Sequence, residues 1–371
     1  MQRSGATNNY IPLETYMKKT SLTLAIMALA AAAGGAAHAQ SNVQVYGLLD
    51  VGVETANNKS ATGGSQTSVI SGGMNTSRWG LRGTEDLGGG LKAIFNLEGG
   101  ILMDTGAQDG VLFKRQATVG LEGAFGRVVI GRSFSSVYDT VIAYDPMGFA
   151  PYYSWATSGP ATGPSKYGFT TAYDNIIKYS GSTGDFKFGA NYAAGEQTTG
   201  AQDSAKYGFT GAYKLGPANL MATWERNNGN TVPATGARDK NTVWHLGVNY
   251  EDGPIKLWGV VRDYKLVAGK ALTADVDATT TWAGIAYKAN DVTTLTGAIY
   301  HVNVKNVAAG KDADPTMYVA RYRYALSKRT DLHVSAAYVK SKNGQLTGLS
   351  RDDAGFGTSQ HGLVVGMQHR F

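Results

Sequence analysis

Val43-Gln44-Val45-Tyr46-Gly47-Leu48-Leu49-Asp50-Val51-Gly52-Val53-Glu54 changes character at almost every step. Val43, Val45, Gly47, Leu49, Val51 and Val53 share one parity; Gln44, Tyr46, Asp50 and Glu54 share the other. A period of two describes an extended strand with one oily and one wet face. The pattern returns in Phe186, Phe188, Ala190 and Tyr192 against Lys187 and Asn191, and in Tyr207, Phe209 and Tyr213 against Lys206, Thr210 and Lys214. Trp244, Leu246, Val248 and Tyr250 alternate with His245 and Asn249; Tyr318, Ala320, Tyr322 and Tyr324 with Arg321 and Arg323; Leu332, Val334, Ala336 and Tyr338 with His333, Ser335 and Lys340. A helical 3.6-residue period is almost absent. The chain reads as all-β.

The connections say which kind. Very short turns are expected at 85–90, 123–126, 181–185, 215–218, 251–254, 289–291 and 326–331. Longer polar segments fall near 56–74, 103–112, 134–174, 195–205, 228–241, 266–279, 305–315 and 342–359. Together these connections separate sixteen antiparallel strands of roughly 8–13 residues, bracketing the ~9–11 a tilted membrane-spanning strand needs. Short turns at one end and long loops at the other are the layout of an outer-membrane barrel. In lipid every backbone N–H and C=O needs an internal partner, which a closed barrel supplies without edges. Tyr192, Tyr213, Tyr250, Tyr287, Tyr324 and Tyr338 recur near the ends of the oily face, where aromatic girdles sit at headgroup depth. Parity alone leaves open which face points inward, because a soluble barrel or sandwich alternates too.

Composition narrows the choice. Glycine is high, at 49 of 371 residues, without a Gly-X-Y repeat, so collagen is excluded. Apolar residues make up 43% of the chain, too many for a disordered one. The absence of cysteine removes a disulfide framework, a zinc–thiolate site and a cysteine nucleophile together. The net charge of +6 is modest and is not gathered into a nucleic-acid-binding arm.

The N-terminal region reads as an address. Residues 1–16 are expected to be an upstream extension and 17–39 a signal peptide, with Met17-Lys18-Lys19 as its basic start and Leu22 to Ala33 as its apolar run. Ala37-His38-Ala39 has the small-x-small form of a cleavage site, which assigns residues 40–371 to the exported barrel. Loss of Arg3, Lys18, Lys19 and Glu14 lowers the formal net charge from +6 to +4. At the other end Leu363, Val365, Met367 and Phe371 share a parity. A terminal aromatic on such a strand is the kind of edge the outer-membrane assembly machinery engages by strand pairing, so Phe371 is the expected insertion signal.

Several stretches resemble a known family. Val43-Gln44-Val45-Tyr46-Gly47-Leu48-Leu49-Asp50 is similar to the opening strand of Gram-negative general porins of the betaproteobacterial (neisserial and burkholderial) branch. The run from Ser77-Arg78-Trp79-Gly80 through Leu91-Lys92-Ala93 is that branch's most specific stretch. Arg115-Gln116-Ala117, Val119-Gly120-Leu121, Phe125-Gly126, Gly131-Arg132, Leu326-Ser327-Lys328-Arg329-Thr330 and His369-Arg370-Phe371 follow in the family's order. Gln368 and His361 depart from it, where a basic residue and a threonine are usual. The resemblance implies a sixteen-stranded transmembrane barrel with a long third loop folded into the pore, assembled as a homotrimer in the outer membrane of a Gram-negative bacterium. It also implies passive diffusion of small hydrophilic solutes and ions.

The expected site is the channel's constriction. Residues 134–174 form a loop far beyond the ~12–15 residues usual for an unstructured connection, and its many aromatics argue for packing against something. Asp139 and Asp145 are its acids before Pro146. On the facing wall Arg78 and Arg82 share a parity against Trp79 and Leu81, so both are expected to face water. A charge facing lipid at the midplane would cost about 2–4 kcal/mol. Arg115 matches the family's constriction arginine by context, although alternation from Val119 and Leu121 would turn it outward, so a bulge or rim position is required. Arg132 is a fourth candidate. Basic and acidic walls facing across a narrow throat would set up a transverse field, and an excess of arginine would favour anions mildly. The alternative is that these arginines only pair with carboxylates such as Glu98 or Glu122.

Enzymatic signatures are missing: no Gly-x-Ser-x-Gly elbow, no His-Glu-x-x-His, no phosphate loop ending in Gly-Lys-Ser/Thr. No catalytic residue, metal site, cofactor or nucleic-acid partner is expected. Outer-membrane lipid, the assembly machinery, and small solutes and ions are the expected partners. Two other readings stay open: a solute-specific channel of the same architecture, and a plugged barrel acting as an adhesin or receptor.

Overall fold

A computed structural model describes residues 42–157, 167–351 and 355–371; the expected leader segments 1–16 and 17–39 lie outside the described residues. The alternating segments form strands β1 (Asn42–Asn57), β2 (Ser65–Ser71), β3 (Arg78–Gly88), β4 (Leu91–Gly100), β5 (Gln116–Gly123) and β6 (Gly126–Phe134). After the long loop come β7 (Ala172–Thr183), β8 (Phe186–Ala193), β9 (Lys206–Leu215), β10 (Ala218–Thr231), β11 (Arg238–Asp252) and β12 (Ile255–Val267). The wall ends with β13 (Val276–Lys288), β14 (Thr293–Lys305), β15 (Thr316–Ala325), β16 (Thr330–Lys340) and β17 (Ser359–Arg370). Each strand pairs antiparallel with its sequence neighbour, except that β1 takes the place between β2 or β3 and β17.

Seventeen strand segments make a sixteen-stave wall, because β2 and β3 are two halves of one stave. Val51–Asn57 of β1 pairs with β2, and Asn42–Leu48 of the same strand pairs with β3. Between them, residues 72–77 leave the ladder and bend over Asp50. Its carboxylate accepts from the Met74 and Asn75 backbone N–H groups at 3.1 and 2.8 Å, and the Asp50 N–H donates to Ser77 Oγ. Gly73 sits so close to the ring of His333 and to Val364 that a Cβ would come within 2.9 Å of both. The wall closes where β1 meets β17, from Leu48 opposite Arg370 to Ala56 opposite Gly362. Closure gives every described stave a partner on both sides, the condition for crossing hydrocarbon.

Turn chemistry follows the expected alternation of short and long connections. Gly88, Gly89 and Gly90 carry φ values of +85°, +60° and +80°, which L-residues rarely adopt, and so reverse the chain between β3 and β4. Strand lengths run from 7 to 16 residues, wider than expected, because β2 is half a stave and β1 spans two partners.

Burial decides which face points inward. On β16 Leu332, Val334 and Tyr338 are exposed, whereas Asp331, His333 and Ser335 are at most 1% exposed. All six girdle tyrosines are exposed on the same outer face. Oily residues therefore face outward, the reverse of a soluble barrel.

The inner face is not uniformly wet. Met221, Val243, Val260, Trp282, Tyr300, Val302, Met317 and Val339 point inward from β10 to β16 and are buried. They pack against Val137, Val141, Tyr144, Met147, Phe149, Tyr153, Trp155 and Phe169 of the long loop. Full burial of such a side chain contributes about 1.5–3 kcal/mol, so the loop is held by apolar contact as firmly as by hydrogen bonds.

Candidate functional site

The loop begins with a short helix, α1 (Ser136–Val141), capped by Ser135, whose Oγ accepts the Tyr138 N–H at 3.1 Å; a single 3-10 turn follows at Ile142–Tyr144. From there the chain runs along the inner face of the wall, fixed by inward side chains that reach its carbonyls. Asn249 and Trp258 donate to the Ala143 carbonyl, and Trp282 to that of Tyr144. Arg321 donates to the Met147 carbonyl, and Arg262 to those of Trp155 and Ala156. Tyr153 donates its hydroxyl to Glu54 on β1 at 3.1 Å. The start of the loop meets the arginine-bearing wall through its aromatics, with Phe134 stacked on Tyr138 and lying under Arg115.

That wall is built from β1, β3 and β4. Arg82 lies opposite Gln44, donates to its Oε1 at 3.1 Å, and holds its guanidinium 4.8 Å over the Tyr46 ring. Tyr46 donates to Asn96 and to Glu98 at 2.8 and 2.9 Å. Arg78, opposite Leu48, brings Nε to 3.8 Å from Glu98 and donates to the Thr76 carbonyl. Arg115 completes the group: its Nε lies 2.7 Å from Glu98, and its guanidinium 5.0 Å over Phe134. The parity conflict at Arg115 resolves because the residue stands just outside β5, where alternation no longer dictates direction. Its backbone N–H donates to the Glu98 carbonyl at 3.2 Å, which holds it at the rim.

Two arginines thus share one carboxylate, and Arg82 has no ion pair among the described residues. The pairing with Glu98 that sequence reading weighed as an alternative is present, and it coexists with an excess of positive charge.

The other candidates lie elsewhere. Arg132 follows the alternation of exposed Ile130 on β6, opposite Ala117, and binds Asp174 and the Lys114 carbonyl instead of joining the Glu98 group. Gly131, with φ +133°, and the register shift beside it set this local direction. Asp139 is half exposed and forms an ion pair with Lys178 at 2.7 Å. Asp145 is buried, at 4% exposed, and faces no open water. Its carboxylate accepts from the Met147 and Phe149 N–H groups, the Ser154 hydroxyl and the Tyr300 hydroxyl, so it organises the loop. A carboxylate ringed by donors is a structural anchor, and no sequence motif distinguishes it from an exposed acid. Phe371 seals the closing seam: its backbone exchanges two hydrogen bonds with Gly47, each 3.1 Å, and its ring lies against that glycine.

Sequence reading missed two further basic residues, Lys92 and Arg127. A cavity of about 320 Å³ beside the arginine wall is lined by Gln44, Arg82, Lys92, Asn96, Glu122 and Arg127, among others. Lys92 and Arg127 lie on the wet parity of β4 and β6, so the signal was available in the alternation. Among the described residues no cluster of three or more His, Asp or Glu side chains could hold a metal ion.

Comparison with known proteins agrees with this architecture. The family model described as Gram-negative porin matches residues 24–344. Outer membrane porin protein 32 of Delftia acidovorans is 35% identical over 369 residues, covering 96% of this chain and all of the relative. An outer membrane porin protein of Bordetella pertussis is 30% identical over 405 residues, again covering 96% of this chain and all of the relative. Among solved structures, the anion-selective porin from Comamonas acidovorans superposes with a TM-score of 0.76 at 30% identity, covering 90% of this chain and all of that one.

Proposed function

Because the chain belongs to the Gram-negative porin family, and is therefore an outer-membrane channel and not an enzyme, we propose that it is a trimeric general diffusion porin with mild anion preference. Arg78, Arg82 and Arg115 form the basic side of its constriction, and the 134–174 loop forms the other. The observation that carries this reading is that three guanidinium groups gather on one wall: Arg78 and Arg115 share a single carboxylate, Glu98, while Arg82, held by Gln44 and Tyr46, has no ion pair among the described residues. In a narrow throat bounded by low-dielectric protein such an excess raises the local concentration of anions and repels cations. Asp139, tied to Lys178, supplies the acid on the loop side. The selectivity of the Comamonas relative supports the same sign.

Trimer assembly rests on the family relationship, as does engagement of the assembly machinery by the strand ending in Phe371. The test is bilayer conductance of the purified protein under a potassium chloride gradient, with gel mobility before and after boiling. Reversal potentials on the anion side and a heat-dissociable oligomer are expected. Reversal on the cation side would overturn the selectivity and leave the fold standing.

A further inference from the structure

A second basic region lies on the short-turn side of α1. The wet parity of four successive strands places Arg127 on β6, Lys178 on β7, Lys187 on β8 and Lys214 on β9, with Lys256 on β12 three staves further along the wall. All five line one chamber of about 810 Å³, roofed by Ser136, Asp139, Thr140 and Ala143 of the loop. Register brings them together in pairs. Arg127 lies opposite Ser180, two positions from Lys178; Lys187 lies opposite Ala212, two positions from Lys214. Diagonal neighbours of this kind stand roughly 7–8 Å apart, a gap that two flexible lysine side chains close around one small ion.

The chamber's charge is only partly compensated. Lys178 binds Asp139, and Lys256 binds Glu251 at 2.9 Å. Glu122 and Asp185 also line the space, but among the described residues neither they nor any other carboxylate forms an ion pair with Arg127, Lys187 or Lys214. The roof offers an unused polar group: Ser136 Oγ is buried, lines the chamber, and has no hydrogen-bond partner among the described residues.

We propose that this chamber is a binding site for a compact doubly charged oxyanion of the phosphate class, adjoining the cavity beside Arg82, with which it shares Arg127 and Glu122, and reached from the short-turn side. Lys187 and Lys214 hold the charge, Arg127 flanks them, and Ser136 donates from above. The chemistry follows from the spacing: a monovalent halide satisfies one ammonium group at a time, whereas a dianion engages two. Short turns face the periplasm in barrels of this layout, so the site lies past the constriction for a solute entering the cell.

This inference rests on the anion-preferring reading of the channel, and one experiment separates the two. Inorganic phosphate is titrated onto oriented channels in potassium chloride, from each side in turn, with reversal potential recorded in the same membranes without phosphate. Saturable reduction of chloride current is expected at lower phosphate concentration from the short-turn side. The paired variant K187Q/K214Q is expected to raise the half-blocking concentration at least fivefold while the reversal potential keeps its sign. R82Q, outside the chamber, is expected to shift the reversal potential and leave the short-turn-side block within twofold. Absence of block, block equal from both sides, or block unchanged in K187Q/K214Q would overturn the proposal. A cation-side reversal potential would instead overturn the reading beneath it.

Discussion

Replacing Glu98 with glutamine is the sharpest perturbation of the proposed constriction. Glu98 lies 2.7 Å from Arg115 and 3.8 Å from Arg78, and accepts the Tyr46 hydroxyl at 2.9 Å. Glutamine keeps the shape and can still accept from Tyr46, but removes one negative charge from a wall that then carries three uncompensated guanidinium groups. For an ion passing about 7 Å away, one unit charge is worth about 0.6 kcal/mol in water and about 2.4 kcal/mol at an effective dielectric constant near 20. The change favours anions and opposes cations, so the two effects multiply in the permeability ratio. At the aqueous end, screened over a Debye length of about 10 Å at 0.1 M salt, the anion-to-cation ratio rises about threefold; a drier throat gives more. Arg115 and Arg78 retain some access to water, so the folding cost stays below the 3–5 kcal/mol typical of breaking a fully buried pair. Reversal potentials at 0.1 M and 1 M salt provide the assay, with heat-shifted gel mobility as the folding control. A correctly folded E98Q whose reversal potential is unchanged, or moves toward the cation limit, would refute the reasoning.

Asp145→Asn removes the charge that gathers four donors inside the loop; we expect a loss of about 2–3 kcal/mol in barrel stability, read by thermal melting in detergent, together with increased open-channel current noise. Arg262→Met frees the Trp155 and Ala156 carbonyls and should produce closures at lower voltage, whereas Arg262→Lys should restore much of the wild-type threshold. Asp203, in the connection before β9, is held below the usual aspartate range by hydrogen bonds from Thr199 and Thr231 and by Arg238. Its contribution to loop order is therefore complete above the unfolded value near 4 and is lost as pH falls through the lower folded value; limited proteolysis between pH 5 and pH 2 by an acid-active protease should show this loss, and Asp203→Asn should be open already at pH 5. Gly47→Ala drives a methyl group into the Phe371 ring and should slow barrel closure, seen as persistence of the heat-unshifted form during refolding into vesicles.

The strand count, the alternation of short turns and long loops, and the grouping of the girdle tyrosines on the oily face were legible because period-two patterning and glycine turns are local properties; which face points outward is decided by burial. The shared inward parity of Arg78 and Arg82 was legible for the same reason: they sit within a regular strand. Arg115 was reached only through its neighbours' resemblance to a family, since a rim residue escapes the alternation. Asp145 and Arg132 could not be read, because what decides their roles is a set of partners tens to hundreds of residues away: Tyr300 for one, Asp174 for the other. The break at 72–77 was hidden inside what looked like a loop, and its cause, the claim of Asp50 on two backbone amides, is again non-local. The oily half of the lumen shows where strict alternation misleads: inward residues need only match what covers them, and from β10 to β16 that cover is another part of the chain.

The fastening of the long loop has a cost for any effort to widen this channel. Tyr153 ties it to the first stave, Arg321 to β15 three staves away across the closing seam, and Asn249 and Arg262 to the middle of the wall. The segment therefore works as a brace across a hollow cylinder whose inner lining would otherwise expose apolar side chains to water. Trimming it to admit larger solutes would strip the cover from Trp282, Met317 and Val339 at the same stroke. Permeability and mechanical soundness are written into the same residues, and a wider bore demands a repainted interior.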